Sequence, residues 1–156
     1  MRLIIAAVGR MRPGPEADLV RDYMARATQG GRGLALGPCD LIEIDERKAR
    51  DRAAQSARLI EAVPAGAHVI ALDERGAMMT SPDFAAGLAR LRDAGTQDCA
   101  FLIGGADGHD AALRARADRL LGFGPMVWPH MLVRAMLAEQ LYRAVSILAG
   151  GPYHRA

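Results

Sequence analysis

Short apolar runs at residues 3–8 (LIIAAV), 41–44 (LIEI), 68–72 (HVIAL) and 99–103 (CAFLI) alternate along this chain with longer stretches whose apolar residues recur every three or four positions. Each run has the length of a strand, and the unbroken apolar character of 3–8 predicts a strand buried on both faces. The stretches between them predict helices. Residues 16–28 place Leu19, Val20, Tyr23, Met24 and Ala27 on one stripe. Residues 45–63 read as an amphipathic helix with a basic, solvated side, and 110–121 as another helix. Ser81, Pro82 and Asp83 predict the start of a helix over 81–94, with Ser81 as hydroxyl cap, Pro82 at the first helical position and an acid in the first turn. Residues 29–33 (QGGRG) predict a flexible loop, 123–128 a short fifth strand or extended segment, and Pro129 to Ala149 a last helix. Strand-then-helix order of this kind predicts an α/β fold: one mostly parallel sheet with helices on both faces, in a single domain over 1–156. Ligands of such sheets bind beyond the carboxyl ends of the strands. That points to the segments after strands three, four and five: Leu72 and Asp73, the turn GGADG at 104–108, and GFGPMVWPH at 122–130.

Composition narrows the setting. No apolar run approaches the roughly 18 to 20 residues of a membrane span. The apolar part of the N-terminus, about six residues, is shorter than a secretion signal needs. A cytoplasmic protein with no membrane partner is expected. Cys39 and Cys99 match no metal or redox spacing, and the four histidines are scattered, so no metal site is expected. The formal net charge is only +2, yet every basic residue except Lys48 is arginine. Arginine binds phosphate through a fixed fork and stacks on bases, which suits RNA. Biased composition accounts for the same count equally well.

Four constellations carry chemistry. The GGADG turn offers glycine backbone to a ligand and N–H groups at the next helix start to an anion, or is a plain strand-to-helix turn. It is neither G-x-G-x-x-G nor a P-loop, because no Gly-Lys-Ser/Thr follows. The segment 122–130 offers free backbone groups to an adenine edge and a flat apolar slot, or simply packs on the core. The last helix is apolar nearly all round, as expected of a helix covered on two sides, by the core or by another subunit. The set His130, Arg134, Arg143, Tyr153, His154 and Arg155 can move a proton, clamp a phosphate and stack on a base. His68 and His109 read as structural. A nucleotide-binding enzyme using GGADG for phosphate, and a non-enzymatic RNA-binding module, are the rival readings.

The blocks AAVGRMRPG, VIALDERG, FLIGGADG, WPHMLVRAMLAEQLYRAVSILAG and PYHR follow in order and span essentially the whole chain. In them the sequence resembles the SPOUT superfamily of RNA methyltransferases and, more narrowly, the RlmH family, which methylates N3 of a pseudouridine in large-subunit (23S) ribosomal RNA. The resemblance implies a trefoil knot near the C-terminus and S-adenosylmethionine as cofactor. It implies cofactor contacts at Leu72, Gly104, Gly105, Gly124, Pro125, Met126, Val127, Trp128 and Pro129. It also implies a homodimer packed through the final helix, with ribosomal RNA on the assembled ribosome as substrate. His154, Tyr153, Arg155, Arg143 and His130 become the catalytic set: His154 to take the N3 proton, Tyr153 to stack, and Arg155 with Arg143 to hold phosphate or a base carbonyl. One departure is Ala106 and Asp107 in the GGxxG turn, where many relatives are expected to carry Pro and Glu.

Overall fold

The structure is a computed structural model, and it describes residues 1–154. Five parallel strands, β1 (Arg2–Val8), β2 (Cys39–Ile44), β3 (His68–Ala77), β4 (Asp98–Ile103) and β5 (Arg119–Leu121), form one sheet in the order β2-β1-β4-β3-β5. The α-helices are α1 (Pro15–Gly31), α2 (Arg52–Ala62), α3 (Ser81–Asp93), α4 (Ala111–Arg116) and α5 (His130–Leu148). Crossovers between parallel strands share one hand, so the direction of each step decides the face its helix covers. Steps from β1 to β2 and β3 to β4 run one way and put α1 and α3 on one face. Steps from β2 to β3 and β4 to β5 run the other way and put α2 and α4 on the opposite face.

The alternation of side chains along the central strands then splits the core in two. Leu3, Ile5, Ala7, Cys99, Phe101 and Ile103 pack with α1, α3 and α5, whereas Ile4, Ala6, Val8, Ala100 and Leu102 pack under Leu59 of α2 and Leu113 of α4. Both cysteines are free, and burial pushes the thiols up, Cys39 to about 11 and Cys99 to about 12, as inert apolar residues would be.

Several elements depart from the sequence reading. The segment 29–33 is not a loop: α1 continues through Gly31, and Arg32–Leu34 adds a 3-10 turn. The glycines are there for contact. A Cβ on Gly30 would lie 3.0 Å from Val145 Cγ1 of α5, and one on Gly31 would lie 2.1 Å from the carbonyl oxygen of Leu36. The expected helix over 45–63 is broken at 49–51, because Asp45 and Asp51 each cap a separate start, accepting from the N–H groups of Arg47 and Ala54. The cap of α3 is Thr80, not Ser81; the Ser81 hydroxyl bonds Gln140 of α5 instead. The fourth helix is only Ala111–Arg116, and the fifth strand is Arg119–Leu121, not 123–128. The chain leaves the helix at Ala117 because Asp118 docks on β3: its N–H donates to the Val69 carbonyl and its carboxylate accepts from the Val69 N–H.

After β5, at the sheet edge, the chain returns to the middle of the α1/α3 face, where α5 lies between those helices. Segment 122–129 makes that return. It passes in backbone contact with the end of β3: Gly122 N–H donates to the Ala77 carbonyl, and a Cβ on Gly76 would lie 2.4 Å from the Leu121 carbonyl carbon. We expect Gly31→Ala to destabilise the fold by about 2 kcal/mol, because the new methyl group meets backbone that has nowhere to move. Chemical denaturation of the two proteins checks this.

Candidate functional site

The carboxyl ends of β3, β4 and β5 converge as the sheet topology requires. A cleft of about 280 Å³ lies among them, lined by Leu72, Asp73 and Glu74 after β3, the turn 104–108 after β4, Arg114, and Leu121, Phe123, Gly124, Met126, Val127, Trp128 and His130 around the return segment. Of the proposed cofactor positions, Leu72, Gly104, Gly105, Gly124, Met126, Val127 and Trp128 line this cleft. Pro125 and Pro129 belong to the same segment and do not. Gly124 sits at φ +106, a backbone conformation that only glycine adopts freely. Met126 and Val127 are 68% and 85% exposed, so the segment offers apolar side chains to whatever enters.

The glycines of the GGADG turn serve the turn itself. A Cβ on Gly104 would lie 2.9 Å from the Gly108 carbonyl, and one on Gly105 would lie 2.7 Å from Gln55 Oε1 of α2. The start of α4 is no anion site either. Asp110 Oδ1 already accepts from the Leu113 N–H at 2.8 Å, and the Asp110 N–H donates to Ser56 Oγ at 3.0 Å. Three carboxylates line the cleft (Asp73, Glu74 and Asp107) against the single guanidinium of Arg114. Such a cleft favours a cationic ligand over a polyphosphate, which removes the support for a nucleotide-phosphate site.

Arg114 is a site residue that sequence reasoning passed over, and Asp73, placed there in the segment after the third strand, gains a partner in it. Burial alone would raise the Asp73 carboxyl, but the Arg75 N–H and the Arg114 guanidinium, 2.6 Å away through Nε, hold it below the usual range. Their pairing spans β3 and α4, so no local motif signals it. His109 is buried as expected, its Nε2 3.2 Å from the Leu102 carbonyl, and burial lowers its pKa.

His130 lines the cleft, and burial, then the neighbouring Arg134, lowers its pKa, so the ring is neutral near pH 7. Arg134 was read with the phosphate-holding set. The structure corrects this: it is completely buried, its guanidinium donating to the Val8 carbonyl and, at 3.1 Å, to Glu43 Oε1. It ties the start of α5 to the ends of β1 and β2 and has no face to offer RNA.

The tail forms a second cluster. α5 ends in a Schellman motif, with Gly150 at φ +66, its N–H on the Ile147 carbonyl, and the Gly151 N–H on the Ser146 carbonyl at 2.8 Å. This turns Tyr153 back onto α5. Its ring lies 4.6 Å from that of Tyr142 and 4.7 Å from the Arg143 guanidinium, and its hydroxyl donates to Glu139 Oε1 at 3.0 Å. Burial and the bonds to Tyr23 and Glu139 raise the Tyr153 pKa, so the phenol stays protonated. Arg143 donates to Glu139 through Nε at 2.9 Å and approaches His154 Nδ1 at 3.4 Å. Arg155 lies outside the described residues.

The structure therefore brings Arg143, Tyr153 and His154 together, but not with His130. At 1.5 Å per residue, Arg143 stands about 20 Å along α5 from His130. Between the two clusters runs a second, larger cavity of about 680 Å³, lined by Leu19, Tyr23, Phe84, Trp128, Leu132 and Met136 among others. Part of the all-round apolar character of α5 is thus explained by α1, α3 and the sheet, and part faces this open groove. Among the described residues no group of acids, cysteines and histidines is placed to hold a metal ion, and no helix is long and apolar enough to cross a membrane.

Arg134 has a stability consequence. We expect Arg134→Met to cost about 3 kcal/mol or more, because Glu43 is left half-buried without its partner. Glu43→Gln in that background should recover part of the loss, which a double-mutant cycle in urea measures.

Known proteins match this architecture. The family described as "Predicted SPOUT methyltransferase" matches residues 1–154. The chain is 59% identical over 155 residues to a protein of Dinoroseobacter shibae named ribosomal RNA large subunit methyltransferase H, with 99% of each chain covered. It is 57% identical, with the same coverage, to the protein of that name from Ruegeria pomeroyi. Among solved structures, a probable methyltransferase from Bordetella pertussis superposes with a TM-score of 0.51 at 15% identity, covering 92% of this chain and 96% of that one, which is a likeness of fold. The chain belongs to the SPOUT methyltransferase family.

Proposed function

We propose that this protein is an S-adenosylmethionine-dependent methyltransferase that modifies N3 of a pseudouridine in large-subunit ribosomal RNA. The observation that carries the reading is the cleft where the ends of β3, β4 and β5 meet: an apolar slot with an excess of carboxylates, in a chain 59% identical to a ribosomal RNA large subunit methyltransferase. The residues present fit the cofactor. Met126, Val127 and Trp128 suit an adenine ring, and Asp73, Glu74 and Asp107 suit a ligand that carries positive charge. Leu72, Gly104, Gly105 and Gly124 to Pro129 are the positions proposed to hold it. When bound, S-adenosylmethionine supplies an electrophilic methyl group on a sulfonium.

The chain's own task is to present the base with N3 deprotonated and aligned, and most of the gain comes from that orientation. The tail supplies the means. An arginine N–H can only donate, so a hydrogen bond from Arg143 to Nδ1 of His154 goes with the tautomer that carries its proton on Nε2. In that tautomer His154 meets the base as a donor, an alternative to its role as acceptor of the N3 proton. A donor at a base carbonyl, together with Arg143, stabilises the negative charge that develops when N3 loses its proton to water. Tyr153, held by Tyr142 and Glu139, is the stacking surface.

Within one chain this tail lies away from the cleft. Two copies related by a two-fold axis, with their α5 helices antiparallel across the groove at Leu132 and Met136, would set the tail of each beside the cleft of the other. That separation, and the exposed apolar groove spanning it, support a homodimer as the working unit.

Purified ribosomes lacking the modification, incubated with labelled S-adenosylmethionine, should acquire label in a methylated pseudouridine on nucleoside mass spectrometry. Absence of label from any ribosomal nucleoside would refute the reading. His154→Ala should lose methylation with cofactor affinity retained, while His154→Gln, which still offers an N–H, should keep part of it; a strict proton acceptor would show no such rescue. Leu132→Arg should give a folded monomer by sedimentation, with activity reduced at least about 100-fold, since truncating site geometry costs at least that much.

A further inference from the structure

Residues 45–52 read DERKARDR, close to balanced in charge. The fold leaves the bases in excess at the surface. Asp45 is only 14% exposed at its side chain and accepts from the Arg47 N–H; Asp51 caps α2. Glu46 turns toward Gly9, where a Cβ would lie 3.5 Å from its Oε2 and 3.9 Å from His130 Nε2. Glu43, just upstream, is occupied by Arg134 and by the Met11 N–H at 2.7 Å. Glu46 and Asp51 are nonetheless exposed, so the turn carries both signs at its surface with the bases in excess. Lys48 and Arg50 are exposed and make no ion pair among the described residues, whereas Arg47 is 81% exposed and its guanidinium bonds the Asp45 carboxylate at 3.2 Å. From the neighbouring β1–α1 connection, Arg12 is exposed, and Arg10 reaches Asp45 only at 3.9 Å.

This cationic turn is fastened to the cleft. Ala49 is buried, its carbonyl accepts from Gln55 Nε2 at 3.1 Å, and Gln55 Oε1 occupies the space in front of Gly105. Gln55 thus links the turn to the wall of the cleft at Gly105. An acidic cleft beside a rim with an excess of exposed cations, Arg12, Lys48 and Arg50 free of ion pairs among the described residues, repels phosphate from the pocket and attracts it to the edge.

Resting on the methyltransferase reading, we infer that Arg10, Arg12, Arg47, Lys48 and Arg50 form the surface along which the RNA phosphate backbone lies while the target base enters the cleft beside Gly105. The rim is an electrostatic docking surface and takes no part in the chemistry. It also lies away from the apolar groove along α5, which is lined from the α1/α3 face, so a partner copy seated there leaves the rim open.

The test compares the wild-type protein with the triple variant Arg47→Ala/Lys48→Ala/Arg50→Ala and with an equal charge loss elsewhere, Arg21→Ala/Arg58→Ala/Arg90→Ala. Retention on ribosomes with large and small subunits assembled and lacking the modification, measured by sedimentation at several salt concentrations, is read beside KM, kcat and affinity for S-adenosylmethionine. The rim variant should bind about tenfold or more weaker at physiological salt, with a salt slope shallower by about two, since each phosphate contact contributes a little under one. Its kcat at saturating ribosomes, its affinity for S-adenosylmethionine and its thermal transition should be unchanged. A rim variant indistinguishable from the control overturns the inference. So does wild-type binding that is absent or insensitive to salt; the latter would assign the contact to a ribosomal protein. If the wild type binds ribosomes but transfers no methyl group, the methyltransferase reading falls and the rim is judged on binding alone.

Discussion

The buried guanidinium of Arg134 is the contact on which the geometry of the site depends. It joins α5 to the Val8 carbonyl at the end of β1 and to Glu43 on β2, and so fixes the start of the last helix over the middle of the sheet. Segment 122–129 has both its ends determined by this: one leaves β5 at the sheet edge, the other enters α5. A charge taken out of water is expensive, and it is retained here with a carboxylate and a carbonyl as partners. What it secures is position. His130, one turn earlier on the same helix, is thereby held against the cleft with its ring neutral.

Close backbone approach is the second recurring device. Gly76 and Gly122 let the return segment lie on the end of β3, Gly104 lets the turn after β4 close on the Gly108 carbonyl, and Gly30 with Gly31 lets α1 meet α5 and the following turn. In each case the missing Cβ makes room for protein, not for a ligand. The cleft is what remains between backbones packed this way, and its walls are consequently stiff. Gln55 extends the same packing outward by linking Gly105 to the turn at 45–51.

Charge is arranged to match. Carboxylates dominate the cleft, arginines and Lys48 the rim, and the tail couples Glu139, Arg143, Tyr153 and His154 through hydrogen bonds and stacked rings. The SPOUT family assignment and the sheet topology agree with a ligand site beyond the strand ends. The tail cluster lies about 20 Å of helix away from that site, with an apolar groove between them.

Much of this was legible before any coordinates. The continuous apolar runs determined a parallel sheet, because only strands covered on both faces need no polar side. The three loops bearing Leu72, Gly104 and Trp128 were located by the same topology. The reading erred where local signals were ambiguous: a Gly-rich stretch that is helix because α5 and Leu36 pack against it, and a fifth strand that begins early because Asp118 docks on Val69. Tertiary structure alone decided the rest. Asp73 meets Arg114, Arg134 sinks into the core, and in 45–52 Asp45 is shielded while Lys48 and Arg50 stay exposed with no ion pair among the described residues. The physical reason is range. Hydrophobic periodicity is a property of neighbours along the chain, whereas burial and pairing of charge depend on which distant segments meet, and sequence order alone does not carry that information.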